Sequence, residues 1–205
     1  VTGEKQPDRP GAEGAEKAMR QLAARVAAEG PPLEVARSRP PTGPAFAELA
    51  ASGPRTSSDP DAYAFVVEAV REGYLCHYDV SRVLDQPDPD LALLAGDLFY
   101  AIGISALAEL EDGESVRILS NLIRVSAELR SEDRRSDAES VWSAAILALA
   151  CGSDDEYEGL SEALWTGDRA VADSLDEWSL NLADTNGLGR ILAEVREAIH
   201  FASDT

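Results

Sequence analysis

Lysine is almost missing from this chain. Lys5 and Lys17 are the only two in 205 residues, and arginine supplies the rest of the 18 basic groups, against 38 Asp and Glu and a formal net charge of −20. Phosphate backbones are bound by clustered Lys and Arg, so nucleic acid is excluded as an expected partner. The deficit is uneven: residues 1–60 hold 8 basic and 8 acidic groups, whereas 61–205 hold 10 basic and 30 acidic. Arginine in place of lysine with abundant acid fits a high-salt cell interior or plain codon bias. Cysteine is also scarce. Cys76 and Cys151 each fall in an apolar helical pattern, which reads as two buried free thiols in a reducing compartment.

Other absences bound the function. No run reaches about 18 consecutive apolar residues, and no basic-then-apolar segment opens the chain, so neither a membrane span nor a signal peptide is expected and a cytoplasmic location is. Val1 in place of methionine fits an alternative start or a trimmed fragment equally. There is no GxSxG, P-loop, dinucleotide fingerprint or HExxH, which disfavours ordinary hydrolase and kinase chemistry. No stretch alternates at period two, so strands are not expected.

What remains is helical. Residues 1–12, with Pro, Gly and mixed charge, are expected to be disordered, and 13–205 to form one all-α domain of about eight helices. Met19, Leu22, Ala23 and Val26 form one stripe of a helix over Glu13–Glu29, stopped by Gly30, Pro31 and Pro32. A Pro-, Gly- and Ser-rich connection follows, with at most a short helix near Ala45–Ala51. Asp59-Pro60 is an N-cap and first-turn pair opening a helix to about Leu84, and Asp88-Pro89 opens another in the same way. Asp112-Gly113 ends that helix after Leu110, and Val116, Leu119, Leu122, Ile123 and Leu129 carry the next. Ser136 with Glu139, and Ser153 with Glu156, have capping-box spacing. The later helices are expected near 137–151, 154–166, 168–182 and 188–202.

The organising stretch is Phe65–Leu110. Leu91, Leu94, Leu98, Phe99 and Ile102 recur at helical steps, with Ala92, Ala95, Gly96, Ala101, Gly103 and Ala106 on the other faces, which reads as a helix buried nearly all round. Gly96 and Gly103 lie seven apart on one face, where a neighbouring helix can approach closely. Asp97, set inside that run, is then expected to be buried and partnered.

The candidate chemistry is acidic. His77 and Asp79 stand near one helix end, Asp85, Asp88 and Asp90 in the following turn, and Asp173, Asp176 and Glu177 on a later helix. Asp173 and Asp176 are one turn apart, as a Mg²⁺ site on a phosphate-bearing ligand requires; taken alone, each such cluster reads first as a solvated helix face.

The order of these features resembles the polyprenyl diphosphate synthase family, over roughly residues 13–180. Arg37-Ser38-Arg39-Pro40 is similar to that family's RxRP loop without its lysine. Glu68 through His77-Tyr78-Asp79 runs in register with the helix that ends in HDDxxD. Leu94-Ala95-Gly96-Asp97 matches the LAGD element, Ser136-Asp137-Ala138 stands where SKTA belongs, and Ala172–Asp176 lies near the second acidic motif. The resemblance implies an isoprenoid synthase bundle with a central cavity. It also implies Arg37 and Arg39 as diphosphate-binding residues, Asp79, Asp173 and Asp176 as vestigial Mg²⁺ ligands, and His77, Gly96 and Asp97 as structural residues.

The departures set the functional expectation. Tyr78 and Arg82 stand where two acids of the first motif belong, Asp137 replaces the lysine of SKTA, and an acidic Asp85–Asp90 turn replaces a basic one. Losing one charge-stabilising group of this kind costs about 10²- to 10³-fold in rate, and several are lost together. The chain is therefore expected to be a non-catalytic partner of an intact prenyl diphosphate synthase, or of itself. The alternatives are a weak or altered Mg²⁺-dependent prenyltransferase condensing isopentenyl diphosphate with an allylic diphosphate, and an unrelated acidic helical interaction protein. Either the Gly96/Gly103 face or the Leu122, Ile123 and Leu129 stripe is available for such an interface, and both read first as core packing inside the monomer.

Overall fold

A computed structural model describes residues 10–36, 46–134, 137–168 and 170–198; Arg37, Arg39 and Ser136 lie outside the described residues. The architecture is all-α. Nine helices are found among the described residues: α1 (Pro10–Glu29), α2 (Phe46–Ala51), α3 (Pro60–Tyr78), α4 (Pro89–Glu109), α5 (Gly113–Ser131), α6 (Ala138–Cys151), α7 (Asp155–Trp165), α8 (Val171–Thr185) and α9 (Gly189–Ala198). Among the described residues, extended pairing is limited to one bridge, Val35 with Leu84.

Caps explain most of the boundaries. The Asp59, Asp88 and Asp112 side chains accept from the backbone N–H groups of Ala62, Leu91 and Ser115, satisfying amides that a helix start leaves free. The expected capping boxes differ in detail. Asp154, not Ser153, caps α7 by accepting from Tyr157 N, while Ser153 donates from both N and Oγ to Glu114 Oε1. Asp137 sits at the N-cap of α6 without a side-chain cap bond. Helix α1 begins at Pro10, three residues before its expected start, and α3 ends at Tyr78 rather than near Leu84.

Two helices carry the core. Helix α3 is buried over most of its length and is wrapped by α1, α2, α4 and α5, while α6 is buried from Val141 to Ala150 and is covered by α2, α5, α8 and α9. Phe46, Tyr74 and Trp142 join the two centres, with the Phe46 and Trp142 rings stacked at 5.4 Å. Leu122 and Leu129, offered by the sequence as an interface stripe, are core residues of the bundle.

Helix α4 departs from expectation. Gly96 and Gly103 do permit close approach: a Cβ on Gly96 would fall 2.6 Å from the His77 ring, and one on Gly103 3.0 Å from Val70 Cγ2. That packing is against α3 and within the chain. The outer face is open, with Leu94 68% and Leu93 47% exposed. By length and apolar content α4 alone among the described helices would pass for a membrane span, and it is a half-packed helix of the bundle, so there is no clear span.

Candidate functional site

The end of α3 and the turn after it gather the polar groups that the sequence singled out. Glu68 and Glu72 sit one turn apart in the run Phe65–Cys76, whose one other charged residue is Arg71, on the inner side of α3, at 1% and 0% exposure. A buried carboxylate must be paired or hydrogen-bonded. The turn supplies the partner. Arg82 folds back so that Nε donates to Glu72 Oε1 and Nη2 to Glu68 Oε2, each at 2.5 Å. Its backbone N–H and the Ser81 hydroxyl donate to Glu72 Oε2 at 3.1 and 2.9 Å. Burial alone pulls the Arg82 pKa down, but the two carboxylates beside it hold it above the ordinary arginine value.

The turn is fixed from its other side as well. Ala36 N donates to Val83 O and Asp85 N to Glu34 O, both at 2.8 Å, so residues 34–36 run alongside 83–85. One turn inward, the Arg71 guanidinium is enclosed by Phe46, Tyr74 and Trp142, 5.1 Å from the Trp142 ring centre. Burial, with Arg82 adding to it, lowers the Arg71 pKa to about 10. Burial foremost, and then Glu72, pushes the Cys76 thiol up to about 12. Cys76 is thus a buried free thiol as expected, whereas Cys151 is only half-buried.

His77, Gly96 and Asp97 do come together. The His77 ring is stacked on Tyr100 at 5.4 Å and 12°, with Gly96 against its edge. Asp97 Oδ1 lies 3.2 Å from His77 Nε2, without the alignment of a hydrogen bond. The expected burial of Asp97 is overturned: its side chain is 74% exposed, at the rim of the α3–α4 contact beside His77.

The acidic residues are dispersed. Asp79 caps the end of α3, is exposed, and accepts from its neighbour Val80 N. Asp176 is held by Arg196 at 2.7 Å, and Asp173, one turn earlier on α8, is exposed. Asp137 is paired with Arg134 at 2.8 Å. Helix α8 packs on α6, α7 and α9 rather than on α3, and among the described residues no group of three His, Cys, Asp or Glu is gathered as a metal site. A groove of about 660 Å³ runs between α1 and α4 over Phe65, and one of about 390 Å³ lies between residues 32–34 and 84–91. Neither is lined by Asp79, Asp173 or Asp176.

The second polar centre was not anticipated from the sequence. Asp112 accepts from Tyr63 Oη (2.7 Å), Ser115 Oγ (2.6 Å) and Arg55 Nη2 (2.5 Å), and Arg55 also donates to Leu149 O. Burial would raise the Asp112 pKa, but the bonds from Arg55, Ser115 and Tyr63 outweigh it and hold the carboxyl well below the usual range. Burial, helped by Asp112, raises the Tyr63 hydroxyl to about 12. This network ties the start of α5 to α3 and to the end of α6, and it is structural in character. Comparisons with protein-family models, curated proteins and solved structures find no match to this chain.

Proposed function

We propose that this chain is a non-catalytic helical subunit, similar in build to a polyprenyl diphosphate synthase, that acts by pairing with an intact prenyl diphosphate synthase. One observation carries the reading. Arg82, in the place of the first motif's third acid, is turned inward and spent on Glu68 and Glu72. A cation neutralised by two buried carboxylates holds a turn in place and is not offered to a diphosphate. Two further features support the same reading: the Arg71, Phe46, Tyr74 and Trp142 cluster lies between α3 and α6, and Asp137, standing where the resemblance places a ligand-facing lysine, is an anion paired with Arg134.

A Mg²⁺ ion belongs to this reading only in the intact partner. The test is association. Mixed with an intact synthase from the same source, the purified chain should sediment as an unlike complex. Independent sedimentation of the two at every salt concentration would remove the subunit reading.

A further inference from the structure

We propose that the groove between α1 and α4 binds a short apolar peptide with both ends free, its ammonium at the Asp59, Asp61 and Glu109 end and its carboxylate on Arg25. The groove holds about 660 Å³, within the range of about 300–1,000 Å³ that small-ligand sites occupy. Its floor is apolar: Phe65 of α3, with Ile102, Ala106 and Leu110 recurring at helical steps along α4.

The charged groups stand at the two ends. Lys17 is ion-paired with Asp61, which sets this part of α1 against the start of α3. Helix α4 runs antiparallel to α3, with Gly96 against His77 and Gly103 against Val70, so its last turn brings Glu109 back to the same end, where Asp59 also lines the wall. That end carries three carboxylates against one ammonium. Arg25 stands eight residues after Lys17 on the same stripe of α1, about 12 Å along the axis, with Gln21 one turn before it. Among the described residues neither Arg25 nor Glu109 has an ion-pair partner, and both face the groove.

Charge and length choose the ligand. An apolar acid would match Arg25 but brings net negative charge to a chain of −20, and an apolar amine would match the acidic end and leave Arg25 unmatched. A zwitterion matches both ends and carries no net charge. An extended peptide advances about 3.3–3.6 Å per residue, so a span of about 12 Å takes three to four residues, while a dipeptide reaches one end only. Apolar side chains at every other position of such a strand then lie on the Phe65 floor. The site does not depend on pairing with a synthase, since the groove is built by this chain's own α1, α3 and α4 and the isolated chain is the sample.

The test is a titration of the full chain with the tetrapeptide Ala-Leu-Ala-Leu, followed by amide chemical shifts. Binding should centre on the groove with a Kd of about 1 mM or tighter. The N-acetylated and C-amidated forms should each bind at least about threefold more weakly, as the loss of one exposed charge pair implies, and the dipeptide Ala-Leu should lose binding in the same way. Arg25→Gln should abolish the preference for a free carboxylate and keep that for a free ammonium, whereas Glu109→Gln should narrow the ammonium preference alone. Ser105→Trp, at an exposed position on the groove wall, should fill the groove and abolish binding. No binding at about 1 mM, capped forms that bind as well as the free peptide, or an Arg25→Gln chain that still prefers a free carboxylate would each overturn the proposal.

Discussion

Replacing Arg82 by methionine leaves the Glu68 and Glu72 carboxylates in the core without the side chain that neutralises them. Two charge-assisted bonds of 2.5 Å are lost. Glu68 suffers most, since its other oxygen makes no hydrogen bond, while Glu72 keeps the Ser81 hydroxyl and the backbone N–H of residue 82. Removing one partner of a buried ion pair costs about 3 to 5 kcal/mol, and the groups that stay behind place this case near 3 to 4. That is a large share of the 5 to 15 kcal/mol of a typical domain. With a urea m-value of about 2.5 kcal/mol/M, the midpoint should fall by about 1.5 M at unchanged m. A fall below about 0.4 M would match a surface ion pair and refute the buried account. The control is Glu68→Gln/Glu72→Gln/Arg82→Met, which removes the stranded charges and should regain part of the loss.

The Asp112 network makes a pH prediction. A carboxyl with its folded pKa depressed contributes stability above its unfolded value of about 4, and that contribution is lost as pH falls below it toward the folded value. Asp112→Asn should therefore lower the neutral-pH urea midpoint and flatten the acid limb of the stability profile; an acid limb identical to that of the parent would contradict this. The neighbours Gly96 and Asp97 should separate sharply. Gly96→Ala drives a methyl into the His77 ring and should cost about 1 to 3 kcal/mol, whereas Asp97→Ala, on an exposed carboxylate, should stay within about 0.5 kcal/mol by the same unfolding assay. Equal effects would place both residues wrongly.

Much of the fold was legible because its signals are local. Asp59-Pro60 and Asp88-Pro89 cap the helices they announced, since a short acidic side chain before the first turn satisfies free amides whatever the rest of the chain does, and Asp112, read only as ending α4, caps α5 in the same way. The face of α4 was not legible. Its leucines and alanines on every side read as burial, yet composition does not say whether an apolar face meets a neighbour, and Asp97 was misplaced with it. The candidate site was half legible: His77, Gly96 and Asp97 meet because α3 and α4 pack at the glycines, while Asp79 stays apart from Asp173 and Asp176. Arg82 was read only as a missing acid. The signal for its actual role lay in Glu68 and Glu72, two carboxylates at i and i+4 that share a largely apolar run with a single cation, Arg71, so that a second cation is called for.

The most direct test of the central claim is a condensation assay on the isolated chain with isopentenyl diphosphate, a series of allylic diphosphates and Mg²⁺. With Arg82 committed to Glu68 and Glu72 and Asp137 to Arg134, the account predicts no turnover above background for any allylic chain length. Turnover that requires Mg²⁺ and disappears in Asp79→Ala would contradict it and make the chain a prenyltransferase in its own right.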